Sequence, residues 1–296
     1  MIDITNIERF ATHDGPGIRT TIFFQGCPLR CPWCANPETQ GRRPVLFYNK
    51  ERCVNCQSCA AICPQKAITF EKGEWHYEQE HCLSCGQCVQ ACLQAALSLQ
   101  GKSMTITDIM AEVDKDAPYY AHSQGGVTIS GGEPFVQAEN LLALLQACKE
   151  KGYHTAIETT GNTSLTNIQT VLPYVDLFLY DFKHVEDDKL KQVTRGDGTL
   201  IKENLCYLLR QPDVTVQVRI PVIPGFNEDA LYDMLSWCHK QGVKQVALLP
   251  YHSLGKVKYE RLGKVYSMPG EMMKEEALQP YQAYGQALGM KVQIGG

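Results

Sequence analysis

"GVTISGGEPFVQAENLLALLQACKEKGYHTAIETTG", residues 126–161, holds one complete strand–helix–strand unit. "GVTIS" (126–130) is a short run rich in β-branched residues, the composition of a strand. After the turn residues Gly131, Gly132 and Pro134, Leu141, Leu144, Leu145 and Cys148 recur at helical spacing and predict a helix over 138–152. Lys149 and Lys151 fall in its last turn, and Gly152 stops it. "HTAIE" (154–158) follows as a second strand. Two strands joined by a crossover helix lie parallel in one sheet.

The same alternation continues in both directions. Downstream come a short helix to Pro173, the strand "DLFLYD" (176–181), a helix over 199–210 and the strand "TVQVRI" (215–220). A helix over 227–241, the strand "KQVALLP" (244–250), a helix over 271–288 and "KVQI" (291–294) complete the chain. Upstream, "TITDIMAEVDKDAPYY" (105–120) is helical and "TTIFF" (20–24) is the first strand, which gives six β/α units. Six is fewer than the eight of a closed barrel. The expected class is therefore α/β, an open partial (β/α)6 TIM-like barrel with its functional groups at the carboxyl ends of the strands.

Residues 49–102 interrupt that alternation and read as an inserted small α+β domain between barrel segments 1–48 and 103–296. Of 14 cysteines, 11 fall between Cys27 and Cys92. A disulfide scaffold is one reading, but such scaffolds are short and secreted. This chain starts without a basic and apolar leader, so the thiols read as metal ligands in a reducing cytoplasm. Composition agrees, with 44% hydrophobic and 20% charged residues as in soluble enzymes. The net charge of −4 carries no basic block for nucleic acid, and no apolar run is long enough for a membrane span.

The insert contains a repeat, "CVNCQSCAAICP" from Cys53 and "CLSCGQCVQACL" from Cys82, each spaced C-x2-C-x2-C-x3-C. In that pattern three cysteines of each run and the fourth of the other share one [4Fe–4S] cluster. Cys53, Cys56, Cys59 and Cys92 then hold one cluster, and Cys82, Cys85, Cys88 and Cys63 the second. Structural zinc is the alternative, but it does not require this quartet twice. The segment is similar to two-cluster ferredoxins, and departs from them where Leu93 rather than proline follows Cys92. A domain of roughly 50 residues buries too little apolar surface to stand without such staples.

Cys27, Cys31 and Cys34 form a separate C-x3-C-x2-C loop directly after the first strand. Three thiolates on a four-iron cube leave one iron open, and an open metal position is built to take a substrate or cofactor. Cys148, Cys206 and Cys238 read as small core residues on helices.

The loop, with Trp33 before its last cysteine, resembles the radical S-adenosylmethionine (SAM) superfamily. The longer stretch "DGPGIRTTIFFQGCPLRCPWCAN" (14–36) resembles the glycyl radical enzyme activating enzymes, relatives of the pyruvate formate-lyase activase, in their long form with the insert. The resemblance implies three [4Fe–4S] clusters, SAM on the open iron, and a 5′-deoxyadenosyl radical that takes a hydrogen atom from a glycine of a partner enzyme. No side chain acts as a general base in that chemistry. It places SAM contacts at Trp33, Ala35 and Asn36, at Gly131, Gly132 and Glu133, at Asp181, Phe182 and Lys183, and at Arg219 and His252. It further implies a flavodoxin- or ferredoxin-type electron donor, a monomer that docks its partner transiently, and a monovalent cation near Glu158, which stands where the pyruvate formate-lyase type has aspartate. His13, Asp14 and Arg19 are expected to face the glycyl peptide. A radical SAM enzyme acting on a small molecule or peptide and an iron–sulfur electron-transfer protein share parts of this pattern.

Overall fold

The computed structural model describes residues 1–295. Strand β1 (Ile2–Ala11) turns back through a glycine-rich loop into β2 (Arg19–Phe24), antiparallel to it. The chain then leaves the sheet for a small unit made of β3 (Val45–Tyr48), α1 (Ser58–Ile62), β4 (Ile68–Glu71), β5 (Glu74–Tyr77), α2 (Gln87–Gln90) and β6 (Leu97–Gln100). It returns as β7 (Lys102–Met104), α3 (Ile106–Val113), α4 (Ala117–Ser123), β8 (Gly126–Gly131), α5 (Ala138–Glu150) and β9 (His154–Thr159). Next come α6 (Leu165–Val171), β10 (Leu177–Asp181), α7 (Asp187–Thr194), α8 (Gly198–Leu208) and β11 (Thr215–Val222). The chain ends with α9 (Leu231–Lys240), β12 (Gln245–Pro250), α10 (Lys256–Arg261), α11 (Gln279–Ala287) and β13 (Lys291–Ile294).

One nine-stranded sheet orders these as β13-β12-β11-β10-β9-β8-β2-β1-β7. Every neighbouring pair from β2 to β13 is parallel, so β13 adds a seventh parallel strand to the six expected units. β1 and β7 extend the sheet in antiparallel fashion beyond β2. The α/β alternation does not announce them, because β1 runs half-exposed through Asn6, Glu8 and Arg9 and mimics a loop. β8 shows the opposite pattern, with five of its six residues buried, as a strand covered on both faces must be.

The crossover helices close that cover. α5 buries Leu141, Leu144, Leu145 and Cys148 against the sheet, and each such leucine is worth about 1.5–3 kcal/mol of burial. Cys238 of α9 is likewise fully buried. Cys206 corrects the expectation of a core residue: it lies one position off the Ile201–Leu205–Leu208 stripe of α8, half-exposed, with its thiol donating to Gln241 Oε1 at 3.3 Å. α7 leaves no periodic mark in the sequence, since Leu190 is its one buried apolar side chain.

The small unit has its own core of Leu46, Cys59, Ile68 and Leu97. β3 pairs with β6 and β4 with β5, both antiparallel, so the unit takes in Val45–Tyr48 ahead of its first cysteine. α10 packs against β3 and joins this unit to the main sheet's carboxyl end. Among the described residues no helix is long and apolar enough to cross a membrane.

Candidate active site

β2 and β8 end side by side, and the loops that leave them are locked together. Gly132 N donates to Phe24 O at 3.0 Å and Glu133 N to Gly26 O at 2.8 Å. Gly131 needs a left-handed φ of +119°, and a Cβ on Gly132 would run into the Gly26 carbonyl and Cys27. The two glycines thus bring the turn after β8 against the loop that carries the three cysteines. The far side of that loop is tied by Arg30 N to Thr194 O at 2.8 Å and by the Tyr259 hydroxyl, which donates to Cys31 O at 3.3 Å. Lys258 Nζ donates to Asn36 Oδ1 at 2.7 Å and to Glu38 Oε1 at 2.6 Å.

A cavity of about 210 Å³ opens at these strand ends. Cys27, Cys31 and Cys34 line one wall together with Trp33, Ala35 and Asn36; Gly131, Gly132, Asp181, Lys183, Arg219 and His252 line the others. Trp33 is buried against Phe226 with ring centroids 4.7 Å apart, and His252 stands exposed at the rim. Two expected residues lie elsewhere. Glu133 is buried and spent on neighbours, accepting from Thr159 Oγ1 at 2.7 Å, Thr160 N at 2.9 Å and Thr160 Oγ1 at 2.6 Å. Phe182 points to the opposite face of its strand end and stacks on Trp237 at 4.8 Å.

The charged wall is a continuous chain across four strands. Ser130 donates to Glu158 Oε2 at 2.8 Å, and Arg219 Nη2 to Glu158 Oε1 at 2.7 Å. Arg219 Nε lies 3.3 Å from Asp181 Oδ1, and Lys183 Nζ donates to Asp181 Oδ2 at 2.9 Å. Two cations therefore face two anions in a water-poor site. Burial pushes the Glu158 carboxyl up despite Arg219. Burial pushes on Asp181 as well, but Lys183 and Arg219 outweigh it and hold that carboxyl below its ordinary value. Burial alone would lower Lys183, and Asp181 more than reverses this. The ion pair is not a solvated surface contact, since the Lys183 side chain is 9% exposed. The cation that stands beside Glu158 is the guanidinium of Arg219.

Sequence reading missed several contributors. Ser130, Thr159, Thr160 and Tyr251 line the same cavity, and Lys258 and Tyr259 brace its cysteine loop from α10. The strand-end rule reaches Ser130 and Thr159; nothing local marks Lys258, whose partners lie more than two hundred positions away.

The expectation for Arg19 is corrected. It is fully buried, donating to Thr128 Oγ1 at 2.6 Å, Val127 O at 2.8 Å and Pro16 O at 3.2 Å, so it pins the glycine-rich loop rather than facing a ligand. Asp14 Oδ2 accepts from Thr21 Oγ1 at 2.6 Å for the same purpose. His13 lines a second cavity of about 430 Å³ at the amino ends of the strands, together with Thr12, His154, Gln217, Gln245 and Gln293. Arg219 lines both cavities.

In the small unit, one cavity is lined by Cys63, Cys82, Cys85 and Cys88, and another by Cys53, Cys56, Cys59 and Cys92. Each set takes three cysteines from one run and the last from the other. Backbone N–H groups of Ala67, Ser84 and Ala96 donate to Cys63, Cys82 and Cys92 sulfurs at 3.3 Å each. All cysteines are free thiols. Among the described residues no three His, Cys, Asp or Glu side chains gather around a point for a single metal ion.

Comparison with known proteins places the chain among relatives of one kind. A family model described as "4Fe-4S single cluster domain" matches residues 13–199. The trans-4-hydroxy-L-proline dehydratase activating enzyme of Clostridioides difficile is 40% identical over 99% of this chain and 99% of its own length. The indoleacetate decarboxylase activating enzyme of Tractidigestivibacter scatoligenes is 38% identical over 93% of this chain and 90% of its own. Among solved structures, SuiB of Streptococcus suis bound to S-adenosylmethionine superposes on 67% of this chain and 45% of its own with a TM-score of 0.51 at 12% identity, a likeness of fold.

Proposed function

The chain belongs to the activating enzymes of glycyl radical enzymes, within the radical SAM superfamily, and from that premise we propose how its residues divide the work. When bound, SAM and a reduced [4Fe–4S] cluster supply the hard chemistry: one electron cleaves the sulfonium to methionine and a 5′-deoxyadenosyl radical, which takes a hydrogen atom from a glycine of the partner enzyme.

Cys27, Cys31 and Cys34 hold that cluster and leave one iron for SAM. Burial raises all three thiols, Cys31 to about 12, so each stays protonated until a metal takes the thiolate. Lys183 and Arg219 face the carboxylate of the amino-acid moiety, Asp181 faces ribose hydroxyls, and His252 at the rim meets the adenosyl group. The backbone of Gly131 and Gly132 lines the amino-group side, while Glu133 stiffens that turn from behind through Thr159 and Thr160. Phe182 packs behind Lys183 and fixes its exit from the strand. Because Arg219 supplies the positive charge at Glu158, the reading includes no monovalent cation. The observation that carries the site assignment is the pairing, in one strand-end cavity, of three buried or half-buried thiols with a continuous chain of two cations and two anions.

The second cavity takes the glycine-bearing segment of the partner. Its amide side chains, Gln217, Gln245 and Gln293, suit peptide groups, and it shares Arg219 with the SAM side. The small unit carries two further [4Fe–4S] clusters as a ferredoxin-like domain, one per cysteine set, and relays electrons from a flavodoxin- or ferredoxin-type donor. The sorting of the eight cysteines into two cavities supports this. We place the protein in a reducing cytoplasm as a monomer that docks its partner transiently. Identity of 38–41% to activases named for a dehydratase, a decarboxylase and a sulfite-lyase supports a glycyl radical enzyme as partner without favouring one of those types.

The test uses anaerobically reconstituted, reduced protein. Conversion of SAM to 5′-deoxyadenosine, with a glycyl radical signal on a candidate partner, is expected. Absence of product with every cluster assembled and reduced would sink the reading in favour of electron transfer alone.

A further inference from the structure

The small unit repeats more than its cysteines. Tyr48 stands five residues before Cys53, and Tyr77 five residues before Cys82. Their rings flank Trp75: Tyr48 and Trp75 stack with centroids 4.2 Å apart and planes 16° apart, and Trp75 and Tyr77 with centroids 5.6 Å apart and planes 26° apart. Trp75 and Tyr77 share one face of β5, since strand residues two apart point the same way. Tyr48 and Trp75 line the cavity of Cys53, Cys56, Cys59 and Cys92; Tyr77 lines the cavity of Cys63, Cys82, Cys85 and Cys88.

Tyr48 thus shares a cavity wall with Cys53, and Tyr77 shares the other with Cys82. The Tyr77 hydroxyl is buried without a hydrogen-bond partner, and so is the Trp75 indole N–H. A buried donor left unpaired is costly, and folded proteins rarely keep one without reason. A neutral thiol is a weak acceptor; a ligating cysteine is a thiolate and a better one. The unpaired donors are therefore satisfied once the neighbouring cysteines ligate iron. No charged side chain lines either cavity, so such donors are the nearest means of acting on the metal.

We propose that Tyr48 and Tyr77 set the reduction potentials of the two insert clusters, each hydroxyl donating to the first cysteine ligand of its own run. The inference rests on the reading that the small unit carries two clusters. Reduction adds negative charge to a cluster, and a hydrogen bond to its sulfur favours the reduced state, so each tyrosine raises the potential of the cluster it touches. Trp75 locks both rings and keeps a second donor on the Cys53 side. Removing the Tyr48 hydroxyl should therefore matter less than removing that of Tyr77.

Tyr77→Phe and Tyr48→Phe retain the aromatic stack and delete one hydroxyl each. Iron and sulfide are counted in the full-length holoprotein, and cluster potentials are read by redox titration with electron paramagnetic resonance. The expected result is full loading, with one cluster's reduction equilibrium shifted toward the oxidised form by about tenfold in Tyr77→Phe, which is 59 mV for one electron. The other cluster moves, by less, in Tyr48→Phe. Full loading with both potentials at the wild-type values overturns the proposal. Loss of iron from either variant also overturns it, because the tyrosine is then a packing residue. A wild-type protein that binds only the barrel cluster overturns the two-cluster reading, and this inference with it.

Discussion

Two groups of cysteines in one chain have opposite surroundings. Those after β2 are held in the main core, three to a cavity, facing Asp181, Lys183, Arg219 and Glu158. Those of the small unit come four to a cavity, with Cys56 and Cys85 exposed and no charged side chain in either lining. The missing fourth thiol and the added charges belong together. A cluster that must bind a charged, zwitterionic molecule needs a vacant iron and countercharges, whereas a cluster that only passes electrons needs neither. Ligand count and lining charge, taken together, set the two groups apart.

The largest effect should come from removing one thiol on the reacting side. Cys31→Ala is expected to abolish 5′-deoxyadenosine formation while the insert clusters keep their iron, as checked by product chromatography and iron analysis. Product formation in that variant would break the distinction. Next comes the charged wall. Lys183→Met removes a cation assigned to the SAM carboxylate, and a hydrogen bond to a charged group is worth about 1.5–3 kcal/mol. That loss should weaken SAM binding by about 10- to 100-fold in equilibrium titration, and unchanged affinity would show that the ion chain serves folding alone.

A smaller effect is expected in the small unit. Cys56→Ala combined with Cys85→Ala should slow activation by a protein electron donor yet leave activation by dithionite largely intact. Equal loss with both reductants would assign the small unit to docking or stability instead. The smallest effect concerns the shared scaffold. Burial raises the Asp176 carboxyl, but Lys149 Nζ at 2.5 Å and Thr155 N at 2.8 Å outweigh it and depress the value. A depressed carboxyl contributes stability that is present above its unfolded pKa and lost as pH falls through the folded value. The melting temperature should therefore drop on acidification below about pH 4, and Asp176→Asn should flatten that limb without altering either set of cysteines.

Much of this is legible in the residues. β8, α5 and β9 fall within a residue or two of their expected bounds, because a fully covered strand and a one-faced helix leave strong patterns. β1 and β7 are not legible, since a half-exposed antiparallel edge has no such pattern. At the site, the cysteines and the Asp181–Lys183 pair can be read from spacing, which fixes sidedness on a strand. Glu133 misleads for a physical reason: a carboxylate next to a glycine turn looks available, yet Thr159 and Thr160 arrive from the next strand and use it. Lys258 is invisible because its reach to Asn36 exists only after the chain has folded.

A sheet that stops before closing has two unpaired borders, each a ready surface for strand pairing with another molecule. Here those borders are β7, three residues long, and β13, four residues long. Each begins with an exposed lysine, Lys102 and Lys291. Short borders carrying positive charge pair poorly with copies of themselves, so the sheet stays open without inviting its own kind into ribbon-like aggregates.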